Sequence, residues 1–95
     1  MDFERKNVMK ALTTITIEKV LLNIGKPVLD KVKNKLKKEY KCYIPDCYDH
    51  PEYLESVLKS IFGNSHITIV ESIREELLDH FDDPGIKILI ETICH

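Results

Sequence analysis

Leu12-Thr13-Thr14-Ile15-Thr16-Ile17 is the stretch on which the fold turns. Its β-branched side chains favour extended backbone, so a strand over residues 12–17 is the main competitor to a helix. The flanks decide the matter. Val8, Leu12 and Ile15 keep helical spacing on one side, and Ile17, Val20, Leu21 and Ile24 keep it on the other. An apolar period near 3.6 maintained across the stretch reads as a helix from Asp2 to Ile24. The two sets fall on different faces, so the second half of the helix is apolar around much of its circumference, as central helices usually are. Gly25 then reads as a left-handed C-terminal stop.

Working outward, Pro27 sits in the first turn of a second helix, where its missing N–H costs nothing. Val28, Leu29, Val32, Leu36 and Tyr40 form its apolar stripe, and Lys31, Lys33, Lys35, Lys37, Lys38 and Lys41 its basic back. Residues 42–49 carry Pro45 and read as a loop. Asp49 followed by Glu52 is a capping-box-like pair opening a third helix. Leu54, Val57, Leu58, Ile61 and Phe62 are its buried face, and Gly63 is its end. A fourth helix starts near Asn64 or Ser65 and uses Ile69, Val70, Ile73, Leu77 and Phe81. Asp83 is the expected cap of a short fifth helix with Ile86, Leu89, Ile90 and Ile93 inward, although residues 86–90 also suit a strand. Short connections make successive helices near neighbours. The expectation is all-α: a single helical domain over residues 1–95, a bundle of four long helices and a short C-terminal one.

Composition bounds the function. With 95 residues, 43% apolar and 32% charged, and with 3 Gly and 4 Pro, the chain has the makeup of one folded core rather than of a disordered or collagenous segment. No apolar run approaches the roughly 18 residues of a membrane span, and the acidic start does not read as a signal peptide. A cytoplasmic protein with reduced thiols and no membrane partner is expected; Cys42, Cys47 and Cys94 are too few for a disulfide framework. The net charge of −2 conceals a division: residues 1–41 carry +6 and residues 42–95 carry −8. Such a chain either folds its halves together or shows two opposite faces.

Four features could carry chemistry. Cys42, Cys47 and His50, with Cys94-His95 as a distant fourth ligand, have enough donors for zinc, but the spacing is looser than the paired ligands of structural sites. The thiols also read simply as reduced cysteines packed under the loop. Glu71, Glu75, Glu76, Asp79, Asp82 and Asp83 offer oxygens to calcium without an EF-hand spacing, and a solvated acidic face explains them equally well. Lys31, Lys35 and Lys38 share one flank that could track a nucleic-acid backbone, although no Arg or aromatic residue joins them for base readout. Tyr40, Tyr43, Tyr48 and Tyr53 crowd the central loop, and tyrosine serves both to pin loops and to make interfaces. A Cys47–His50 nucleophile lacks an oxyanion site, and there is no phosphate loop, nucleophile elbow or zinc-protease pair. No enzyme activity and no cofactor are expected.

Gly25-Lys26-Pro27-Val28-Leu29, the lysine helix, Cys47-Tyr48-Asp49-His50-Pro51-Glu52-Tyr53-Leu54, residues 58–63 and Ile69-Val70-Glu71-Ser72-Ile73 together resemble a family of small archaeal proteins and domains of uncharacterised function. Its members are related to the output domain of archaeal signalling proteins, named after the ammonia-oxidising archaea. The similarity spans about residues 8 to 78, and no functional residues carry over with it. The resemblance implies an archaeal, cytoplasmic helical module that relays a signal through protein contact. The multidomain members carry receiver or kinase segments, which these 95 residues do not contain.

The leading expectation is therefore a non-enzymatic protein-interaction or signalling-output module, with a protein partner or self-association. Its contact surface is expected at the tyrosine-rich loop and a flank of the second or third helix. The alternatives are a nucleic-acid-binding accessory protein and a small zinc- or calcium-binding protein.

Overall fold

The β-branched stretch is helical. In the computed structural model, which describes residues 2–94, α1 runs unbroken over Asp2–Ile24. Tertiary packing overrides the local β propensity, because the buried stripe of α1 runs through Thr13, Thr16, Ile17, Val20 and Leu21, with Met9 and Leu12 packed at its edge. The Thr13 hydroxyl donates to the Met9 carbonyl at 2.8 Å, so it is buried without a lost partner, and Thr14 donates likewise to Lys10 at 2.8 Å.

The apolar circumference expected to make α1 central is buried on one side only. Val8, Ile15, Leu22 and Ile24 are 59%, 63%, 52% and 51% exposed. The threonines turn inward and the isoleucine between them turns out, because residues 9, 13, 16, 17 and 20 already define the arc that meets the core. At 100° per residue, positions 8, 15 and 22 fall opposite it.

Gly25 joins α1 directly to α2, Lys26–Tyr40. Its backbone is nearly fully extended (φ 159°, ψ 148°), not the left-handed stop expected, and it serves as the N-cap of α2. Glu18 and Lys33 lie on either side of this corner and pair at 3.3 Å, so α2 folds back along α1. The left-handed residue is instead Lys41, φ 53° and ψ 40°, whose N–H donates to the carbonyls of Leu36 and Lys37. Residues read as loop contain a 3-10 helix, Ile44–Tyr48, that buries Ile44, Cys47 and Tyr48.

α3 spans Pro51–Phe62 and ends at Gly63, where φ is +57°. The Asp49–Glu52 capping box does not form. His50 is the N-cap, without a side-chain cap bond, and Asp49 is drawn away to Lys6 and Lys10 of α1 at 3.1 and 3.0 Å. α4 covers His66–Glu76 and α5 covers Pro84–Ile93. α4 stops short of the expected Phe81; a 3-10 turn over Leu78–His80 leads to α5. Asp83 caps α5 as expected, its Oδ2 accepting from the Ile86 N–H at 3.0 Å. Residues 86–90 are helix, and there is no strand among the described residues.

All five helices and the 3-10 helix meet in one core. Ile17, Leu21, Val32, Leu36, Leu54, Leu58, Ile73, Leu77, Ile86 and Leu89 have no solvent exposure. Truncating one such leucine to alanine costs about 2–5 kcal/mol. No described helix is long and apolar enough to cross a membrane.

Candidate partner-binding surface

The four tyrosines do not share one surface. Tyr40 of α2 and Tyr53 of α3 stack with centroids 4.2 Å apart and planes 11° from parallel, and His50 adds a third ring 4.8 Å from Tyr53. Tyr40 also donates to the Ser56 hydroxyl at 2.8 Å. This stack fastens α2 to the start of α3. Tyr48 is turned inward, 8% exposed, and donates to Asp83 Oδ2 at 2.6 Å. Burial and the adjacent carboxylate push its hydroxyl well above the usual tyrosine range. Tyr48 is therefore a structural anchor, and its expected place on a contact surface is corrected. Only Tyr43, 65% exposed, presents its ring broadly to solvent.

The thiols follow the same inward pattern. Cys42 and Cys47 are buried and Cys94 is exposed; all three are unpaired by disulfide. Burial first, then the neighbouring Cys42 and the Asp46 and Glu52 carboxylates, push the Cys47 thiol up to about 12, and burial raises Cys42 as well. Nucleophilic attack needs the thiolate, which this setting disfavours. His50 is engaged elsewhere, stacked on Tyr53 and 3.4 Å from Glu52. Among the described residues no three His, Cys, Asp or Glu side chains converge as a metal site requires, so neither the cysteine set nor the acidic run is assembled as a ligand shell. His95 lies outside the described residues.

Of the lysine flank, Lys31 and Lys38 are exposed, and Lys35 is held by Glu39 one turn on at 3.3 Å. On the adjacent flank Lys33 is committed to Glu18.

Sequence reasoning missed the buried junction around Asp83. Arg5 of α1 reaches both Asp82, Nη2 to Oδ2 at 3.2 Å, and Asp83, Nε to Oδ1 at 3.7 Å. Asp83 thus receives Arg5, the Tyr48 hydroxyl and the α5 backbone. Gly85 belongs to the same junction: a Cβ there would overlap Tyr48 Oη and Cζ. The signal available was a glycine just inside a capped helix, which marks close approach of another group. A groove of about 470 Å³ opens beside this junction between α1 and α5, lined in part by Arg5, Lys6, Asp49 and Ile88. Its charged groups are already partnered within the chain: Arg5 with Asp82 and Asp83, Lys6 with Asp49.

The remaining feature is the outer face of α1. Val8, Ile15 and Leu22 recur every seventh residue and lie in one line with the exposed Ala11 between the first two. A groove of about 370 Å³ adjoins the flank of this line, walled by Glu18, Lys33, Lys37, Tyr43 and Pro45. Of the tyrosines expected at a contact surface, Tyr43 lines this groove together with Glu18 of α1. Comparison of the chain with protein-family models, with curated proteins and with solved structures returned no match.

Proposed function

We propose that this chain is a non-enzymatic protein-interaction module that docks through the outer face of α1. One observation carries the reading: Val8, Ile15 and Leu22 are each more than half exposed and aligned on a 23-residue helix. Scattered surface apolar residues are ordinary, whereas large ones aligned every seventh residue supply one of the two positions of a helix-pairing seam, with Ala11 and Glu18 at the other. The polar groups nearby support the same reading, since the cations of α1 are used to hold the chain together. Lys6 and Lys10 clasp Asp49, Arg5 holds Asp82 and Asp83, and Lys19 reaches Glu76 at 3.3 Å. A cytoplasmic signalling-output role in an archaeon, as the family resemblance implies, is the setting we infer for such contact.

The test compares the wild-type chain with Ile15→Glu as bait. Because Ile15 is 63% exposed, the variant keeps its helical spectrum and melting midpoint. A captured protein, identified and purified, should bind the wild type and lose affinity for the variant. Partners that bind both chains equally would refute docking through α1.

A further inference from the structure

We propose that the occupant of this face is a second copy of the chain, its α1 antiparallel to the first on a two-fold axis through Ile15. This rests on reading α1 as the docking surface and goes further by naming the partner. Val8 and Leu22 lie seven residues to either side of Ile15. A two-fold operation through Ile15 therefore places Val8 on the partner's Leu22, Leu22 on the partner's Val8, and the two Ile15 side chains together, the self-complementary arrangement of an isologous interface. The line from 8 to 22 is roughly 21 Å long. Ala11, small and exposed, lets the backbones approach and leaves room for the aliphatic stem of the partner's Lys19.

Charge selects the antiparallel direction. Glu4, exposed at the N-terminal end of the line, comes to the same end of the pair as the partner's Lys26, the exposed first residue of α2 just past the Gly25 corner. A parallel pair would set Glu4 beside Glu4 and Lys26 beside Lys26. The other cations near that end, Arg5 and Lys6, already face Asp82, Asp83 and Asp49 of their own chain. Antiparallel helices also oppose their dipoles favourably. One such helix pair covers less than the roughly 800 Å² per partner of a standard stable interface, which makes a weak, concentration-dependent dimer.

Sedimentation equilibrium of the full chain from about 1 µM to about 1 mM should show a monomer–dimer equilibrium. Ile15→Glu, which sets two carboxylates against each other on the axis, should weaken it by about a hundredfold or more. Glu4→Lys and Lys26→Glu should each weaken it several-fold, and the double variant should restore it. With the exposed native thiol removed (Cys94→Ser), Val8→Cys and Leu22→Cys chains should cross-link with each other in preference to themselves. Self-cross-linking at 8 and at 22 would overturn the antiparallel arrangement. A dimer indifferent to Ile15→Glu would place the interface elsewhere and overturn the inference. A chain monomeric throughout would overturn self-pairing alone, leaving docking through α1 to be judged by the bait experiment.

Discussion

Gly85→Ala is the substitution on which the buried junction stands or falls. Gly85 lies in the first turn of α5, where alanine would ordinarily favour the helix by about 0.8–1 kcal/mol. Here the added methyl would overlap Tyr48 Oη and Cζ and stand 2.8 Å from Cε2. The ring has little room to yield, since it is 8% exposed and its hydroxyl is 2.6 Å from Asp83 Oδ2. Overpacking of this kind costs about 1–3 kcal/mol. Displacing the ring also removes a hydrogen bond to a carboxylate, worth about 1.5–3 kcal/mol. Set against the helix gain, the net loss is about 1.5–5 kcal/mol. In a domain of this size that lowers the melting midpoint by roughly 6–40 °C. Urea unfolding followed by circular dichroism measures it. Tyr48→Phe supplies the reference, losing about 1.5–3 kcal/mol because the hydrogen bond goes while the ring stays. In a Tyr48→Leu background the methyl has no ring to meet, so Gly85→Ala should there be neutral or stabilising. Equal costs in both backgrounds, or a loss under about 0.5 kcal/mol in the wild type, would refute the argument.

Three further outcomes follow from single residues. Lys41→Gly should raise stability by about 0.5–1 kcal/mol in the same unfolding assay, because a left-handed non-glycine residue costs about 1–2 kcal/mol and added chain freedom returns part of that. Hydrogen bonds from Lys10 and Lys6 hold the Asp49 carboxyl below its ordinary value of 3.8, so the stability it contributes is present above that value and is lost as pH falls through the lower, folded one. Asp49→Asn should therefore lower the urea midpoint near pH 7 and match the wild type in strong acid, below about pH 2. A thiol reagent should modify Cys94 in the folded chain and reach Cys42 and Cys47 only on unfolding, since Cys94 is exposed and the other two are buried, although burial raises all three thiols; labelling of all three in the folded chain would contradict the packing of the 3-10 helix.

Most of the architecture was legible in local pattern. The stripe of α2, the Gly63 stop, the Asp83 cap and the inward side of α5 are each fixed by residues within a turn or two of one another. What escaped required knowing a distant neighbour. Asp49 has the sequence context of a cap, yet Lys6 and Lys10 compete for it from a helix some forty residues away and win. In α1 both apolar sets keep helical period, so period alone could not say which faces the core. The rest of the bundle chooses residues 9, 13, 16, 17 and 20, and Thr13 and Thr16 are carried inside with them. The tyrosines look equivalent as a cluster and are separated only by their contacts: Tyr48 to Asp83, Tyr40 to Tyr53, and Tyr43 to solvent. The candidate surface was the least legible element because it consists of what the core leaves over.

The charge division explains why that remainder is apolar. The N-terminal +6 and the C-terminal −8 meet chiefly along the edges of α1, where Arg5, Lys6, Lys10 and Lys19 each reach an acid of the second half. Lys6 and Lys10 lie on the core-facing side of α1 towards its N-terminal end, and Arg5 and Lys19 lie beside it. A helix of 23 residues that gives this side to the core and to ion pairs has one strip left. In a solvated helix that strip would be the natural place for lysine and glutamate. Here it holds Val8, Ala11, Ile15 and Leu22, while charges that could have covered it are spent on internal pairs. Exposed surface charges are interchangeable at little cost to stability, so nothing in the fold itself requires aliphatic side chains at 8, 15 and 22. On the docking we propose, contact with another helix supplies that requirement.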